Sequence, residues 1–126
     1  MDTTILIASE RGDWNLDDVI QDDDDVAIAA ITVAELLVGV ELADSRHRRR
    51  RSAFVEAVLE TFQVEEYDLR VARVHARLLG HVKTAGRPRG AHDIIIAATS
   101  TSSGRVVITA DPNGFDGLPE VVVRSP

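Results

Sequence analysis

The chain has no cysteine, and it has only one lysine, one methionine and one tryptophan. The absence of cysteine excludes disulfides, thiolate zinc sites and a cysteine nucleophile. No apolar run approaches the roughly eighteen residues that a membrane-spanning helix needs, and the first residues lack the pattern of a signal peptide. We therefore expect a soluble cytoplasmic protein with no membrane partner. Any bound metal must sit on carboxylates or histidines, which favours hard ions such as Mg²⁺ or Mn²⁺.

The rest of the composition is typical of one folded domain. The chain has 126 residues, of which 44% are hydrophobic and 28% charged. This length allows one compact core and is too short for two ordinary domains, so residues 1–126 are expected to form a single domain. The formal net charge is −7. This charge does not by itself indicate a nucleic-acid-binding protein, because affinity for phosphate comes from Lys and Arg.

Apolar runs alternate with amphipathic segments along the chain. Four segments have the pattern of buried strands: residues 26–31, 62–66, 105–109 and 121–123. Three others have helical spacing: residues 45–62, 69–81 and 92–104. The Gly and Pro residues of segment 86–90 predict a loop. This alternation predicts a parallel sheet that is covered by helices on both faces.

Capping signals predict where two further helices begin. Thr32 is a candidate N-cap, and Glu35 three residues later completes a capping-box pattern. Asn15 is a candidate N-cap for a short helix that runs to Ile20. The four consecutive aspartates that follow, residues 22–25, are typical of a solvated turn.

Four acidic residues fall near the ends of these elements: Asp2, Glu35, Asp93 and Asp111. Glu35 and Asp111 each follow a predicted strand, and Asp93 opens a helix. In open α/β sheets, groups beyond the carboxyl ends of the strands converge on one crevice. Several carboxylates in one crevice need a counter-charge, which a divalent cation supplies. Each acid alone is explained equally well as a terminal, capping or turn residue, so their common placement is what indicates a metal site.

The sequences around these acids carry a stronger signal. They are DTTILI at residues 2–7, TVAELLVG at 32–39, HDIIIAAT at 92–99 and ITAD at 108–111. In this order and spacing the four motifs resemble the PIN-domain ribonucleases, and among them the VapC toxins of bacterial toxin–antitoxin pairs. The resemblance extends over essentially the whole chain.

The resemblance implies a three-layer α/β/α domain with a central parallel sheet. It implies an acidic pocket that holds one or two Mg²⁺ or Mn²⁺ ions and cleaves RNA endonucleolytically. It also implies two kinds of protein partner, namely a small antitoxin whose C-terminal segment lies across the pocket and a second copy of the chain in a homodimer.

The family's functional residues can be carried over onto matching positions. Asp2 and Asp93 match the acids that we expect to ligate the metal most directly. Glu35 and Asp111 match those that complete the site and orient the attacking water. The hydroxyl residues of the family pattern correspond to Thr4 and Thr109, which we expect to support the acids.

The chain departs from the family pattern at two places. Only Met1 precedes Asp2, whereas family members begin with several apolar residues that form a central strand, so we expect a shortened first strand or a natural start upstream. In addition, Gly114 stands before Phe115, where the family often has a further acid. Asp116, just after the ring, is a possible substitute metal ligand.

Arginines near these motifs are candidates for contact with RNA or a partner. Helical spacing places Arg46, Arg49 and Arg50 on one face, which could grip an RNA backbone, meet antitoxin carboxylates, or remain a solvated face. Arg87 and Arg89 flank a proline ahead of Asp93 and are candidates for phosphate contact. His92, beside Asp93, is expected to turn away from the metal.

Two other functions compete with the ribonuclease toxin. The first is a PIN-fold module that has lost activity and serves mainly to bind its antitoxin. The second is a response-regulator receiver, which is also an α/β fold with an acidic pocket. A receiver needs a lysine close to its C-terminal strand, whereas the sole lysine, Lys83, follows a predicted helix, so this function is disfavoured.

Overall fold

The computed structural model describes residues 1–13, 15, 18, 20, 25–86 and 89–125. Within these residues the α-helices are α1 (Thr3–Glu10), α2 (Ala30–Leu42), α3 (Ser45–Thr61), α4 (Leu69–Ala85) and α5 (Ala91–Ser102). The strands are β1 (Ala27–Ala29), β2 (Gln63–Glu65), β3 (Val107–Ile108) and β4 (Val123–Arg124), and a 3₁₀ turn spans Pro112–Phe115. No helix in this part of the chain has both the length and the apolar character to cross a membrane.

The strands form two parallel pairs that the N-terminal backbone connects. β1 pairs with β2, and β3 pairs with β4. Met1 lies beside β1, where its amino group donates to the carbonyl of Ala27 at 2.9 Å. On the other side, the amide of Asp2 donates to the carbonyl of Ile108 in β3 at 3.0 Å. The predicted parallel sheet is thus confirmed, and Met1 and Asp2 occupy the place between its halves.

Alternation along the strands divides the apolar side chains between two cores. Successive strand residues face opposite sides of a sheet. Ile28 and Ile108 accordingly pack with α1, α2 and α3, whereas Ala29 and Val107 pack with α4 and α5. Helices therefore cover both faces, and the predicted three-layer α/β/α architecture is confirmed.

Helix α2 begins earlier than its capping signal predicts. Its N-cap is Ala29, which makes no side-chain cap bond. Thr32 lies inside the helix, fully buried, and its hydroxyl has no hydrogen-bond partner among the described residues. A side-chain cap contributes only about 1 kcal/mol, so packing of the first turn against the core outweighs it. The early start also shortens β1, which ends before Ile31.

Other boundaries agree with the sequence patterns or extend them. Helix α3 begins at the predicted Ser45. Helix α4 continues four residues beyond the predicted end, and Gly86 then caps it in the left-handed conformation with φ 68°. Half of the helix predicted from Asn15 to Ile20 and most of the turn predicted at residues 22–25 lie outside the described residues.

Candidate active site

Asp2 is held at the centre of a hydroxyl network that joins α1 to the end of β3. It is the N-cap of α1, and its Oδ1 accepts from the amide of Ile5 at 3.3 Å. The Thr4 hydroxyl donates to Oδ1 at 2.7 Å, and the Thr109 hydroxyl donates to Oδ2 at 2.6 Å. Because both hydroxyl protons point at Asp2, the hydroxyl oxygens are free to accept. Thr4 accepts from the amide of Ala110, and Thr109 accepts from the amide of Asp111.

Glu35 contacts the first turn of α1 from α2. Its Oε1 accepts a hydrogen bond of 2.8 Å from the hydroxyl of Thr3. Its Oε2 lies 3.4 Å from Nδ1 of His92. His92, expected to turn away from the metal, thus has its ring beside one of the four acids. The sequence pattern drew attention to neither Thr3 nor His92 as a partner of Glu35, although each adjoins a motif acid along the chain.

Asp93 lies in the first turn of α5, between two glycines. A Cβ atom built on Gly90 would lie 3.1 Å from Asp93 Oδ2, and one built on Gly114 would lie 2.8 Å from the same oxygen. The carboxylate thus occupies space that side chains at these two positions would need. The same Cβ on Gly114 would lie 4.0 Å from Oδ2 of Asp111. Position 114, where the family often has an acid, therefore faces both Asp93 and Asp111.

The acids act on one another through their charges. Burial raises the pKa of the Asp93 carboxyl, and the negative charges of Asp2, Glu35 and Asp111 raise it further. His92 has the opposite, smaller effect on this pKa. The structure therefore brings all four predicted acids into one electrostatic cluster. Asp116 is not among the charges that act on Asp93.

The donor set suits a hard divalent cation that keeps part of its water shell. Among the described residues, no three carboxylate or imidazole groups converge closely enough to chelate an ion by themselves. Mg²⁺ usually takes only one or two carboxylates and several waters, so it does not require such convergence. The donors here are carboxylate and hydroxyl oxygens around a centre of negative charge.

The titration of Asp93 makes stability depend on pH. Because the pKa of Asp93 is raised in the folded chain, the folded chain holds the proton of this carboxyl more tightly than the unfolded chain does. The unfolding free energy of the metal-free protein therefore falls as the pH rises through the raised pKa of Asp93. Asp93→Asn removes the titration. In EDTA, we expect this variant to melt above the wild type at neutral pH and to match it at acidic pH. A constant difference in melting temperature across the pH range would contradict the assignment.

Arg89 holds the turn that follows Asp111. Its Nη1 donates to the carbonyl of Asn113 at 2.9 Å, and its Nη2 donates to the carbonyl of Asp116. The guanidinium proposed from sequence as a phosphate contact therefore bridges the loop before α5 and the 3₁₀ turn. Arg87 lies outside the described residues.

Replacement of Arg89 tests whether this bridge positions the acids. In Arg89→Gln we expect the Mn²⁺ concentration for half-maximal RNA cleavage, the activity implied by the sequence motifs, to rise about tenfold. Loss of a group that orients metal ligands typically weakens metal binding by about this factor. Arg77→Gln is the matched control, because it removes only a surface ion pair with Glu120. Equal metal dependence in the two variants would show that Arg89 does not position the site.

Comparison with known proteins places this chain in one family. The PIN domain family model matches residues 1–120. Ribonuclease VapC5 of Mycobacterium tuberculosis is 37% identical over 128 residues, which cover 98% of this chain and 91% of that protein. Ribonuclease VapC of Rickettsia bellii is 29% identical over 124 residues, with 98% and 92% covered. The chain therefore belongs to the VapC family of PIN-domain ribonucleases.

Solved structures agree with this assignment. The VapBC-5 toxin–antitoxin structure from Mycobacterium tuberculosis has a chain that is 33% identical and superposes with a TM-score of 0.81, covering 99% of this chain and 95% of that one. VapBC2 from Rickettsia felis, bound to a promoter DNA fragment, has a TM-score of 0.90 at 16% identity, with 99% and 96% covered, and supports the fold alone. Nucleases of the family depend on divalent metal ions, in agreement with the oxygen donors of the acid cluster.

Proposed function

We propose that this protein is the toxin of a toxin–antitoxin pair and an endoribonuclease that uses Mg²⁺ or Mn²⁺. The observation that carries the proposal is the position of Asp93, which lies between Gly90 and Gly114 and has its pKa raised by burial and by the charges of three other acids. A soluble domain has no structural need for such a concentration of negative charge, and perturbed carboxylates of this kind are typical of catalytic sites.

Each side chain of the cluster has a distinct task in this mechanism. A bound divalent ion would make its water more acidic and would offset the charge that develops on the phosphate. Asp2 and Asp93 would hold this ion, and Thr4 and Thr109 keep the Asp2 carboxylate oriented by donating to both of its oxygens. Glu35 and Asp111 would accept hydrogen bonds from the attacking water and orient it.

The second part of the proposal is a protein partner. The related structure VapBC-5 from Mycobacterium tuberculosis is a member of the VapBC family of toxin–antitoxin systems. In this chain, α2 exposes three apolar side chains, Leu37, Val38 and Leu42, the last with 81% of its surface accessible. A cognate antitoxin and a second copy of the chain are the partners that we propose for exposed apolar surface of this kind.

Cleavage of total cellular RNA tests the activity directly. The purified chain is incubated with and without Mn²⁺, beside the Asp93→Asn variant. Discrete fragments that require Mn²⁺ and are absent with the variant would support a specific endoribonuclease, and their ends would identify the target. A folded chain that binds its antitoxin but leaves RNA intact would overturn the proposal in favour of an inactive binding module.

A further inference from the structure

A cleft adjoins the acid cluster on the side of Glu35. It lies between α1, α2 and α3 and has a volume of about 280 Å³. Glu35 forms one end of its wall, so the cleft continues the active site rather than forming a separate cavity. Three arginines line it, Arg11, Arg50 and Arg51, together with Glu10. The arginine-rich segment singled out in the sequence thus contributes two side chains to a surface next to the catalytic acids.

The three arginines of the cleft differ in how many of their donors are available to bind an anion. Arg51 is fixed in the wall, because its Nη1 donates to the carbonyl of Gly39 at 3.2 Å. Arg11 is exposed and lies 3.5 Å from the carboxylate of Asp13. Arg50 is exposed and makes no hydrogen bond or ion pair with the described residues. Arg50 therefore has its full set of donors available to an anion.

Another part of the cleft's lining is apolar. It consists of Ile7, Leu36 and Val55, and Ile7 has 40% of its surface exposed. Gly39 also lines the cleft, and a Cβ built on it meets nothing within 4 Å. The cleft thus offers arginine donors, which suit the charged phosphate of a nucleotide. It also offers apolar side chains, which suit the flat base.

We propose that this cleft binds one nucleotide of the RNA strand next to the scissile phosphate, with its phosphate on Arg50 and its base against Ile7. The inference rests on the proposed ribonuclease function. The guanidinium of Arg50 favours RNA as the occupant, because the donors of an arginine match the geometry of a phosphate group. Arg46 and Arg49 do not line the cleft, so the proposal assigns them no role in this subsite.

Binding of a dye-labelled single-stranded RNA of mixed sequence tests the proposal. The measurement uses the Asp93→Asn chain in EDTA, so that binding is observed without cleavage and whether or not the chain is a nuclease. Adding Arg50→Gln should weaken binding about tenfold and reduce the slope of log affinity against log salt by about 0.7. Adding Arg49→Gln, or Arg73→Gln on α4, should change neither quantity. Equal affinity in Arg50→Gln and Arg73→Gln overturns the proposal and leaves the cleft to a protein partner.

A second variant tests the cleft without removing a charge. Gly39→Leu places a side chain in the cleft, and Gly80→Leu in α4 is its matched control, because a Cβ at Gly80 also meets nothing within 4 Å. Both variants should melt no lower than the parent, since a helical glycine is replaced by a better helix former. Only Gly39→Leu should weaken RNA binding. Unchanged binding in a folded Gly39→Leu chain overturns the proposal.

Discussion

Replacing Asp93 with Asn should abolish RNA cleavage while leaving the protein folded. Even groups that only orient metal ligands change affinity or activity by about 10- to 100-fold, so we expect a loss of at least about 100-fold. The metal-free protein should not lose stability, because the substitution relieves repulsion from Asp2, Glu35 and Asp111. Cleavage rates and thermal melting of the same preparation measure both effects.

Asp44→Asn is the matched control for this substitution. Asp44 caps α3 with its side chain, which accepts from the amide of His47, and Asn caps a helix about as well as Asp does. Both variants lose one carboxylate near the start of a helix, but only Asp93→Asn removes a carboxylate from the acid cluster. An Asp93→Asn protein that cleaves RNA at the rate of Asp44→Asn would refute the site.

Replacing Gly114 with Ala should have the second-largest effect. The added Cβ would lie 2.8 Å from Oδ2 of Asp93, closer than such atoms approach in proteins, so the carboxylate must move. A misplacement of this kind at a reacting centre can cost up to about 100-fold in rate, and we expect a 10- to 100-fold loss of cleavage. The rate at saturating Mn²⁺ and the Mn²⁺ concentration for half-maximal activity are the quantities to measure.

Gly80→Ala separates this steric effect from the effect of replacing any glycine. A Cβ at Gly80 meets nothing within 4 Å, and a helical Gly replaced by Ala typically gains about 0.5–1 kcal/mol. This variant should therefore be more stable and equally active. If Gly114→Ala retains wild-type activity and metal dependence, Asp93 does not need the position in which the structure shows it.

Elements with strong local signals were predictable from the sequence. The start of α3 at Ser45 follows from its helical spacing, and the position of Asp93 in the first turn of α5 follows from the same kind of pattern. The assembly of Asp2, Glu35, Asp93 and Asp111 into one cluster was predictable as well, because parallel strands bring their carboxyl ends to one edge. Local patterning and sheet topology were sufficient for these features.

Contacts between segments far apart in the chain were not predictable. The pair of Glu35 and His92 joins α2 to α5 across the sheet edge, and no spacing rule connects these two residues. The bonds from Arg89 to the 3₁₀ turn are of the same kind. Helix α2 also begins before Thr32 because burial outweighs a local cap. In each case the deciding energy comes from tertiary packing, which a single sequence does not display.

The acid cluster takes its side chains from helices on both faces of the sheet, and this position would tie metal supply to the lifetime of the fold. Asp2 caps α1 and Glu35 lies in α2, whereas Asp93 lies in α5. A cation shared by Asp2 and Asp93 would cross-link the layers, and at 100 times its Kd it would add about 2.7 kcal/mol to a domain stability of roughly 5–15 kcal/mol. The cellular concentration of the divalent ion would then set how long the free toxin escapes proteolysis as well as how fast it cuts.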